Sequence, residues 1–461
     1  MSARAVAVAI LLGACGADLP DLALDIRESS DRRAFASVEL LHLRAERDGR
    51  TLAERTFPPS ATEVSIDGLD YGARTVVALE GTSAAGDVVA RGRTCPIDFA
   101  APGPGGRSRA PLYFAPTNSF APTSSPPLAA RLAPVVFTLP DGDALLAGGA
   151  VGDRPVASVE RFAIATGTFT AFDSVLSSPR LGAETIDVPG FGALVSGGID
   201  ETGAAVAGAE LYRDATATFS RLDSAVLGAR VGHRAVRLLT ETLLVTGGAA
   251  RTGDVPLDSS ALVRVQPEGG ATVSAGPPLV RARTQHAAIV ASGTPVLIGG
   301  YGVDGRPLAS LEALVPTDAA GHTAFVEVAA LRTARAEATA SVLGDGTILV
   351  VGGAGDALGT PLLDAEVYNP ITELTVVYPL ALARRGHTAS NLPDGRVLVI
   401  GGVGADGAPL ASVELFVPGV GFVSERPLTV PRAGHRAIPL CDGTVLVVGG
   451  GEGAELYTPP P

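Results

Sequence analysis

The chain has 461 residues, of which 46% are hydrophobic and 18% are charged, and its formal net charge is −13. This length allows one large domain beside a smaller one. The acidic balance argues against nucleic acid as a partner, because phosphates require a basic binding face. It also argues against simple electrostatic docking on anionic lipid.

The N-terminal residues are predicted to be a targeting segment. Arg4 provides a short basic start, and the apolar run over residues 5–12 is too short to span a bilayer. Leu12-Gly13-Ala14-Cys15 resembles the bacterial lipobox, in which cleavage before the cysteine exposes a thiol that is then lipidated. The resemblance implies a signal peptide over 1–14 and a lipid on Cys15 that anchors the protein to a membrane of the bacterial cell envelope. The sorting pattern known for such lipoproteins implies the outer membrane. The alternative is an ordinary secretory signal with an incidental cysteine.

The next segment, residues 15–100, is predicted to form a small β-sandwich. Short runs that alternate polar and apolar residues, such as 38–43, are separated by turn dipeptides such as Asp48-Gly49. This pattern is typical of an immunoglobulin-like sandwich. Residues 101–116 are rich in proline and glycine and are predicted to be a linker, although Leu112-Tyr113 has strand character.

The remaining chain contains an internal repeat. A glycine pair recurs seven times at steps of 48–53 residues, which indicates one supersecondary unit repeated. Each pair ends a short apolar run that is predicted to be a buried strand, as in residues 397–400. An Asp-Gly turn before the run in four units predicts an antiparallel strand ahead of it, and two more strands follow. Seven units of four strands predict a β-propeller over 117–461. The pairs are Gly148-Gly149, Gly197-Gly198, Gly247-Gly248, Gly299-Gly300, Gly352-Gly353, Gly401-Gly402 and Gly449-Gly450.

Two aromatic residues follow the glycine pair in several units, about seven positions apart. Tyr212 with Phe219 and Phe162 with Phe169 are examples. This pattern resembles the kelch repeat over residues 117–461, with the departure that the chain contains no tryptophan. The resemblance implies an all-β protein, a seven-bladed kelch-type β-propeller preceded by the small sandwich, with the first strand of every blade innermost.

The ring is predicted to close through an N-terminal strand. The last unit stops in its third strand at Leu456-Tyr457, and the interval from Phe120 to Arg131 equals that from Phe169 to Arg180. The strand near Phe120 is therefore expected to complete the last blade, which removes exposed sheet edges. Leu112-Tyr113 competes with Leu456-Tyr457 as its third-strand partner.

An arginine recurs 16 or 17 residues before each glycine pair, just ahead of the first strand. One hypothesis is an electropositive ring on the top face that receives carboxylates, since the guanidinium fork pairs bidentately with them. The alternative is pairing inside the blades, because six of the seven third strands carry a glutamate. The arginines are Arg131, Arg180, Arg230, Arg283, Arg335, Arg384 and Arg432, and the glutamates are Glu160, Glu210, Glu312, Glu366, Glu414 and Glu455.

Histidine and cysteine leave further alternatives open. His233, His286, His387 and His435 each follow one of these arginines by three residues, which spreads them around the ring and favours hydrogen bonding over a metal site. No metal and no cofactor is therefore expected. Cys95 and Cys441 are either joined in a disulfide or inert core residues.

The predicted function is a binding module, and a monomer is expected. A protein segment or a glycan would bind the top face through the arginines and Tyr301, which follows a glycine pair. One alternative is a carbohydrate-active enzyme, either a cofactor-free mutarotase or lyase or, less favoured, a copper oxidase. The copper oxidase needs a second tyrosine and a cysteine partner that the pattern does not supply. The other alternative is a structural envelope protein, because a propeller scaffold does not determine function.

Overall fold

The computed structural model describes residues 6–7, 22–30, 33–61, 69–100, 108–238, 241–266, 269–318 and 321–461. Every regular element within these ranges is a β-strand. No helix in this part of the chain is long and apolar enough to cross a bilayer. The predicted signal peptide, apart from Val6–Ala7, and the predicted lipidation site Cys15 lie outside the described residues.

The N-terminal strands form one eight-stranded sheet in the order β1-β2-β8-β6-β5-β3-β4, with β7 paired to β5. This sheet is only partly consistent with the predicted immunoglobulin-like sandwich, since β3–β6 pair antiparallel but β2 and β8 run parallel. The strands are β1 (Val6–Ala7), β2 (Leu22–Glu28), β3 (Leu40–Arg47), β4 (Arg50–Phe57), β5 (Gly72–Thr82), β6 (Val88–Arg93), β7 (Ile97–Phe99) and β8 (Ser108–Pro116).

Strand β8 corrects the predicted linker. The linker prediction over 101–116 is wrong for residues 108–116, which pair with β2 and β6. Proline made this segment look like a linker, but Ala110, Leu112 and Phe114 alternate along it and are all buried in the core. Tyr113 and Ala115 face the opposite way and are buried against blades 7 and 1, so the alternating residues of this strand are covered on both faces.

The propeller has seven four-stranded blades, as the repeat predicted. In chain order its strands are β9 (Ser119–Pro122), which belongs to blade 7; β10 (Val135–Thr138), β11 (Ala144–Ala147), β14 (Val159–Ala163) and β15 (Thr168–Ala171) in blade 1, with the hairpin β12 (Ala150–Val151) and β13 (Arg154–Pro155); β16 (Glu184–Val188), β17 (Gly192–Ser196), β18 (Ala209–Arg213) and β19 (Thr218–Leu222) in blade 2; β20 (Arg234–Arg237), β21 (Thr242–Thr246), β22 (Ser260–Val265) and β23 (Ala271–Ala275) in blade 3; β24 (Ala287–Ala291), β25 (Thr294–Ile298), β26 (Ser310–Pro316) and β27 (Thr323–Ala330) in blade 4; β28 (Thr339–Val342), β29 (Ile348–Val351), β30 (Leu362–Tyr368) and β31 (Thr375–Arg384) in blade 5; β32 (Thr388–Asn391), β33 (Val397–Ile400), β34 (Val413–Val417) and β35 (Gly421–Glu425) in blade 6; and β36 (His435–Pro439), β37 (Val445–Gly449) and β38 (Ala454–Thr458) in blade 7.

The ring closes where the sequence predicted. Strand β9 pairs antiparallel with β38, and Phe120 lies opposite Tyr457 with the ring centroids 4.8 Å apart. Leu112 and Tyr113 lie in β8 and pair with β2 instead of the strands of blade 7. Closure therefore joins the two ends of the repeat region in one sheet and leaves no unpaired third strand in the last blade.

A disulfide joins the N-terminal sheet to the propeller. Cys95 and Cys441 are bonded across 346 residues of sequence, with their Cα atoms 4.9 Å apart. A bond that closes so long a loop stabilises a fold by about 2–5 kcal/mol in comparable proteins. Cys441 lies in the turn between β36 and β37, at the end of the blades away from the glycine pairs. The contact of Arg91 with the Pro460 carbonyl, at 3.0 Å, adds to this attachment.

The N-terminal sheet thus covers one end of blades 7 and 1. Arg27 reaches the carbonyl of Ile164, in a turn at the same end of blade 1, at 3.2 Å and lies 4.5 Å from the centre of the Tyr113 ring. The opposite end carries the glycine pairs and the segments that enter the first strands, and it is called the top face below. The attachment leaves the top face uncovered by the described N-terminal strands.

Candidate functional site

The top face is built from seven equivalent entry segments. Each entry segment consists of the repeated arginine and the three residues after it. The residue that follows the segment lies at the upper end of the innermost strand of the blade. The segments are residues 131–134, 180–183, 230–233, 283–286, 335–338, 384–387 and 432–435. Because the segments are equivalent, a position at which one blade departs from the residue type of the other blades marks a feature particular to that blade.

The seven arginines are buried inside the blades. Arg384, with none of its surface exposed, donates to the carbonyl of Gly401 at 3.0 Å and to the Glu414 carboxylate at 2.7 Å. Burial lowers the pKa of Arg384, and the charge of Glu414 opposes that shift. Every arginine in the set makes the same contact with the first glycine carbonyl of its own blade.

The hypothesis of an open electropositive ring is therefore wrong for these side chains. None of the seven is more than 4% exposed, and their donors are used inside the protein. The alternative of internal pairing with the third-strand glutamates is correct in six blades. The side chains concerned are Arg131, Arg180, Arg230, Arg283, Arg335, Arg384 and Arg432.

The backbone of the same arginines joins neighbouring blades. The second glycine of each pair donates its N–H to the arginine carbonyl of the next blade, as Gly402 does to Arg432 at 2.9 Å. Gly450 donates to Arg131 at 2.7 Å, so the contact also spans the closing junction between blades 7 and 1. A side chain bound to Gly402, with φ at +97°, would lie 2.6 Å from the Arg385 carbonyl, which explains the glycine.

Blade 3 is the exception to the ion pairs. Ala261 occupies the register position of the missing glutamate, since it lies opposite Val245 as Glu210 lies opposite Val195. Arg230 is held by oxygens without a formal charge, among them the Gly247 carbonyl at 2.8 Å. Burial lowers its pKa. The arginine is therefore retained where its carboxylate partner is absent, which assigns it a structural role.

The four repeated histidines also join blades. His233 and Ser196 share a hydrogen bond of 2.8 Å between Nε2 and Oγ, and His435 contacts Thr388 in the same way at 2.9 Å. His286 and His387 contact Thr246 and Thr339. Burial lowers the pKa of all four, and nearby arginines add to the shift. The described residues contain no group of three or more side chains able to hold a metal ion.

The third position of the entry segment surrounds the mouth of the central channel. All seven residues there have left-handed φ angles, and four of them are glycine. Backbone hydrogen bonds connect several neighbours, including Glu337 to the Gln285 carbonyl at 2.9 Å and Gly386 to the Glu337 carbonyl at 3.1 Å. Gln285 and Glu337 have φ angles of 51° and 53°. Non-glycine residues in this conformation carry a conformational cost and are enriched at functional sites.

Glu337 is the centre of a polar cluster that spans three blades. Its carboxylate accepts from Arg385 Nη1 at 2.6 Å and from the Tyr301 hydroxyl at 3.4 Å. Burial raises the pKa of Tyr301 to about 12, and the charge of Glu337 adds to the shift. The phenol therefore remains a hydrogen-bond donor at neutral pH. We call Gln285, Tyr301, Glu337 and Arg385 the mouth cluster.

Two polar atoms of the mouth cluster have no partner within the described residues. They are the Gln285 side-chain oxygen and Arg385 Nε, and both are buried. Buried polar atoms are normally hydrogen-bonded, because an unmet one costs about 1–3 kcal/mol. Exposed apolar side chains stand on the neighbouring loops, namely Val303 at 66% and Leu358 at 93% exposed. The cluster thus combines unmet polar atoms with an apolar rim.

Sequence reasoning found Tyr301 and missed the other three members of the mouth cluster. A usable signal existed: the third position is glycine in blades 2, 3, 6 and 7 but Gln285 in blade 4 and Glu337 in blade 5. Arg385 is the only charged residue at the second position of any entry segment. The recurring residues form the structural framework, whereas the departures from the repeat mark the candidate site.

Comparison with solved structures supports the fold. The structure of YjhT is similar to this chain, with a TM-score of 0.51 and 14% sequence identity, over 65% of this chain and 99% of YjhT. At that identity the likeness shows the propeller fold and nothing about a ligand. No known protein family matches the sequence, and no curated protein matches it.

Proposed function

We propose that the protein is a kelch-type binding module of the bacterial cell envelope that recognises a protein segment through its top face. The observation that supports this most is Glu337, which keeps a non-glycine side chain in a left-handed backbone position and holds Tyr301 and Arg385 around it. Tyrosine and arginine are the side chains that most often dominate binding energy at protein interfaces.

The apolar rim favours a protein segment over a glycan. Val303 and Leu358 extend from the loops beside the mouth cluster and are largely exposed. Tyrosine and arginine are enriched at protein–protein interfaces, so a mouth that combines them with exposed apolar side chains suits a protein segment. The pKa of Tyr301, raised to about 12, keeps the phenol protonated at neutral pH, so this side chain offers a hydrogen-bond donor to a bound segment.

A pull-down from native envelope extract tests the binding function. The full chain, produced without the lipid, is the bait beside Tyr301→Ala/Arg385→Ala, and we expect the wild type alone to retain a protein whose affinity falls at least tenfold in the variant. Arg154→Ala is the matched control, because Arg154 is an exposed arginine on the top-face loop of blade 1. Substitution of the buried arginines would test folding instead.

Three outcomes would contradict this proposal. Retention of a carbohydrate in place of a protein, lost in the double variant, would make the module a glycan binder. Equal retention by wild type and double variant, with unchanged thermal melts, would place the binding surface away from the mouth cluster. A turnover of sugars abolished by Glu337→Gln would favour the enzyme alternative.

We also propose that Cys15 carries the lipid and that the protein is held at the outer membrane. The Cys95–Cys441 bond supports an extracytoplasmic location, because disulfides persist in oxidising compartments. In Triton X-114 partition of producing cells, the wild type is expected in the detergent phase and Cys15→Ala in the aqueous phase or unprocessed. A wild type found in the aqueous phase would support the ordinary secretory signal.

A further inference from the structure

The central channel contains charged side chains that the mouth cluster does not use. The first strand of every blade contacts the first strands of its two neighbours, so these strands form the innermost ring. The residue that follows each entry segment lies at one level of this ring. Blade 2 has Glu184 there, blade 3 has Arg234 and blade 7 has Arg436. The other blades have uncharged residues, Val135, Ala287, Thr339 and Thr388.

These three charged residues converge across the channel. Arg436 extends from blade 7 to the carbonyl of Ala183 in blade 2, at 3.4 Å, although blade 1 separates the two along the ring. Arg234 extends from blade 3 toward Glu184, with Nη1 and Oε2 at 3.5 Å. Both guanidinium groups therefore approach the same part of blade 2 from opposite sides.

The two arginines carry more N–H donors than the hydrogen bonds that they make within the described residues. Arg234 and Arg436 together make three hydrogen bonds within the described residues, at 3.1–3.5 Å. Arg234 donates to Glu184 and to the His233 carbonyl, and Arg436 donates to the Ala183 carbonyl. A guanidinium group carries five N–H donors. Burial lowers the pKa of Arg436, Glu184 opposes this shift and Arg234 adds to it. Glu184 is thus paired with Arg234 and lies close enough to Arg436 to stabilise its charge as well.

We propose that the channel binds an oxyanion of the carboxylate class between Arg234 and Arg436. Two planar guanidinium groups match the oxygens of a carboxylate, which accepts two hydrogen bonds from each fork in favourable geometry. Threonine hydroxyls at the same level are engaged by histidines of the next blade, as Thr388 is by His435. The ligand is therefore held by the arginines, and Glu184 competes with it for them.

This site is independent of the proposed top-face interaction, because none of its residues belongs to the mouth cluster. The competing explanation is purely structural: Arg436 would only tie blade 7 to blade 2. The two explanations differ in what Glu184 does. A structural network loses strength when Glu184 is neutralised, whereas an anion site gains affinity because the competing carboxylate charge is removed.

The test is a ¹⁹F NMR titration of the full chain with trifluoroacetate as the carboxylate probe at fixed ionic strength. We expect saturable line broadening that acetate reverses and chloride does not. Arg436→Gln is expected to raise the apparent dissociation constant at least tenfold, and Glu184→Gln to lower it at least threefold. Arg221→Gln should leave it unchanged, because Arg221 is exposed on an outer strand beside Asp223.

Three results would overturn the proposal. They are an apparent dissociation constant unaffected by Arg436→Gln, a weaker affinity in Glu184→Gln, and displacement by chloride as effective as by acetate. If Arg436→Gln fails to fold in thermal melts, the Glu184→Gln titration decides, since that variant keeps an oxygen acceptor for Arg234. Failure of this titration leaves the pull-down result on Tyr301 and Arg385 unaffected, so the two proposals fail separately.

Discussion

Replacement of Glu414 by alanine is expected to lower the free energy of unfolding by about 3–5 kcal/mol, the usual effect of removing one partner of a buried ion pair. The variant would leave the Arg384 charge inside blade 6 without a carboxylate, and the guanidinium cannot reach solvent because none of its surface is exposed. It would also remove the acceptor of the Ala381 N–H, a bond of 2.8 Å. Urea denaturation followed by circular dichroism measures the change.

Two further variants distinguish the cost of leaving a buried charge unpaired from the cost of losing an ion pair. Asp223→Ala breaks the exposed pair with Arg221 and should cost less than about 1 kcal/mol, as surface ion pairs do. Arg384→Met/Glu414→Leu removes both charges and should cost less than Glu414→Ala alone, because no unpaired charge remains. A loss in Glu414→Ala no larger than that in Asp223→Ala would contradict the argument.

The architecture could be predicted because seven copies of one unit repeat the same weak signals. A single apolar run such as residues 397–400 is ambiguous, but its recurrence at a constant step indicates a propeller blade. The interval from Phe120 to Arg131 equals that from Phe169 to Arg180, and this was enough to predict that β9 closes the ring. Strand β8 was not predicted, because its prolines are typical of a linker. The burial of its alternate residues is visible only once the core is known.

Polar repeats were harder to interpret, because periodicity does not tell a buried position from an exposed one. Arg384 recurs for the same reason that Gly401 does: the arginine side chain and the first glycine carbonyl make the same contact inside every blade. The Cys95–Cys441 bond could not be derived either, since nothing local relates residues 346 positions apart. The residues that depart from the repeat, Glu337 above all, are the ones on which the proposed function rests.

Acidification from pH 7.5 to pH 5 is expected to destabilise the propeller through its buried histidines. Burial lowers the pKa of His233 and His435 to about 3, and the unfolded chain titrates near 6.5. Between these values the unfolded state binds more protons, so the free energy of unfolding falls as the pH falls. By pH 5 each of these two histidines removes about 2 kcal/mol.

Other groups modify this slope without changing its sign. His286 and His387 have pKa values well below 6.5 and act in the same direction. Burial raises the pKa of Asp187, to about 6, and those of Asp214 and Asp442. These three carboxyl groups therefore take up protons in the folded state first and oppose the loss. Four buried histidines act against three aspartates, and the net expectation is lower stability at pH 5.

The histidine origin of the slope can be isolated by substitution. His233→Gln/His435→Gln keeps side-chain amides that can donate to Ser196 and Thr388 but cannot titrate, so the loss between pH 7.5 and pH 5 should shrink by about 4 kcal/mol. His322→Gln is the control, since His322 lies on an exposed loop of blade 4 outside the ring, and the double variant should lose more of the slope than this control does. Urea denaturation at each pH supplies the comparison. An unchanged slope in the double variant would mean that the interblade histidines do not couple folding to pH.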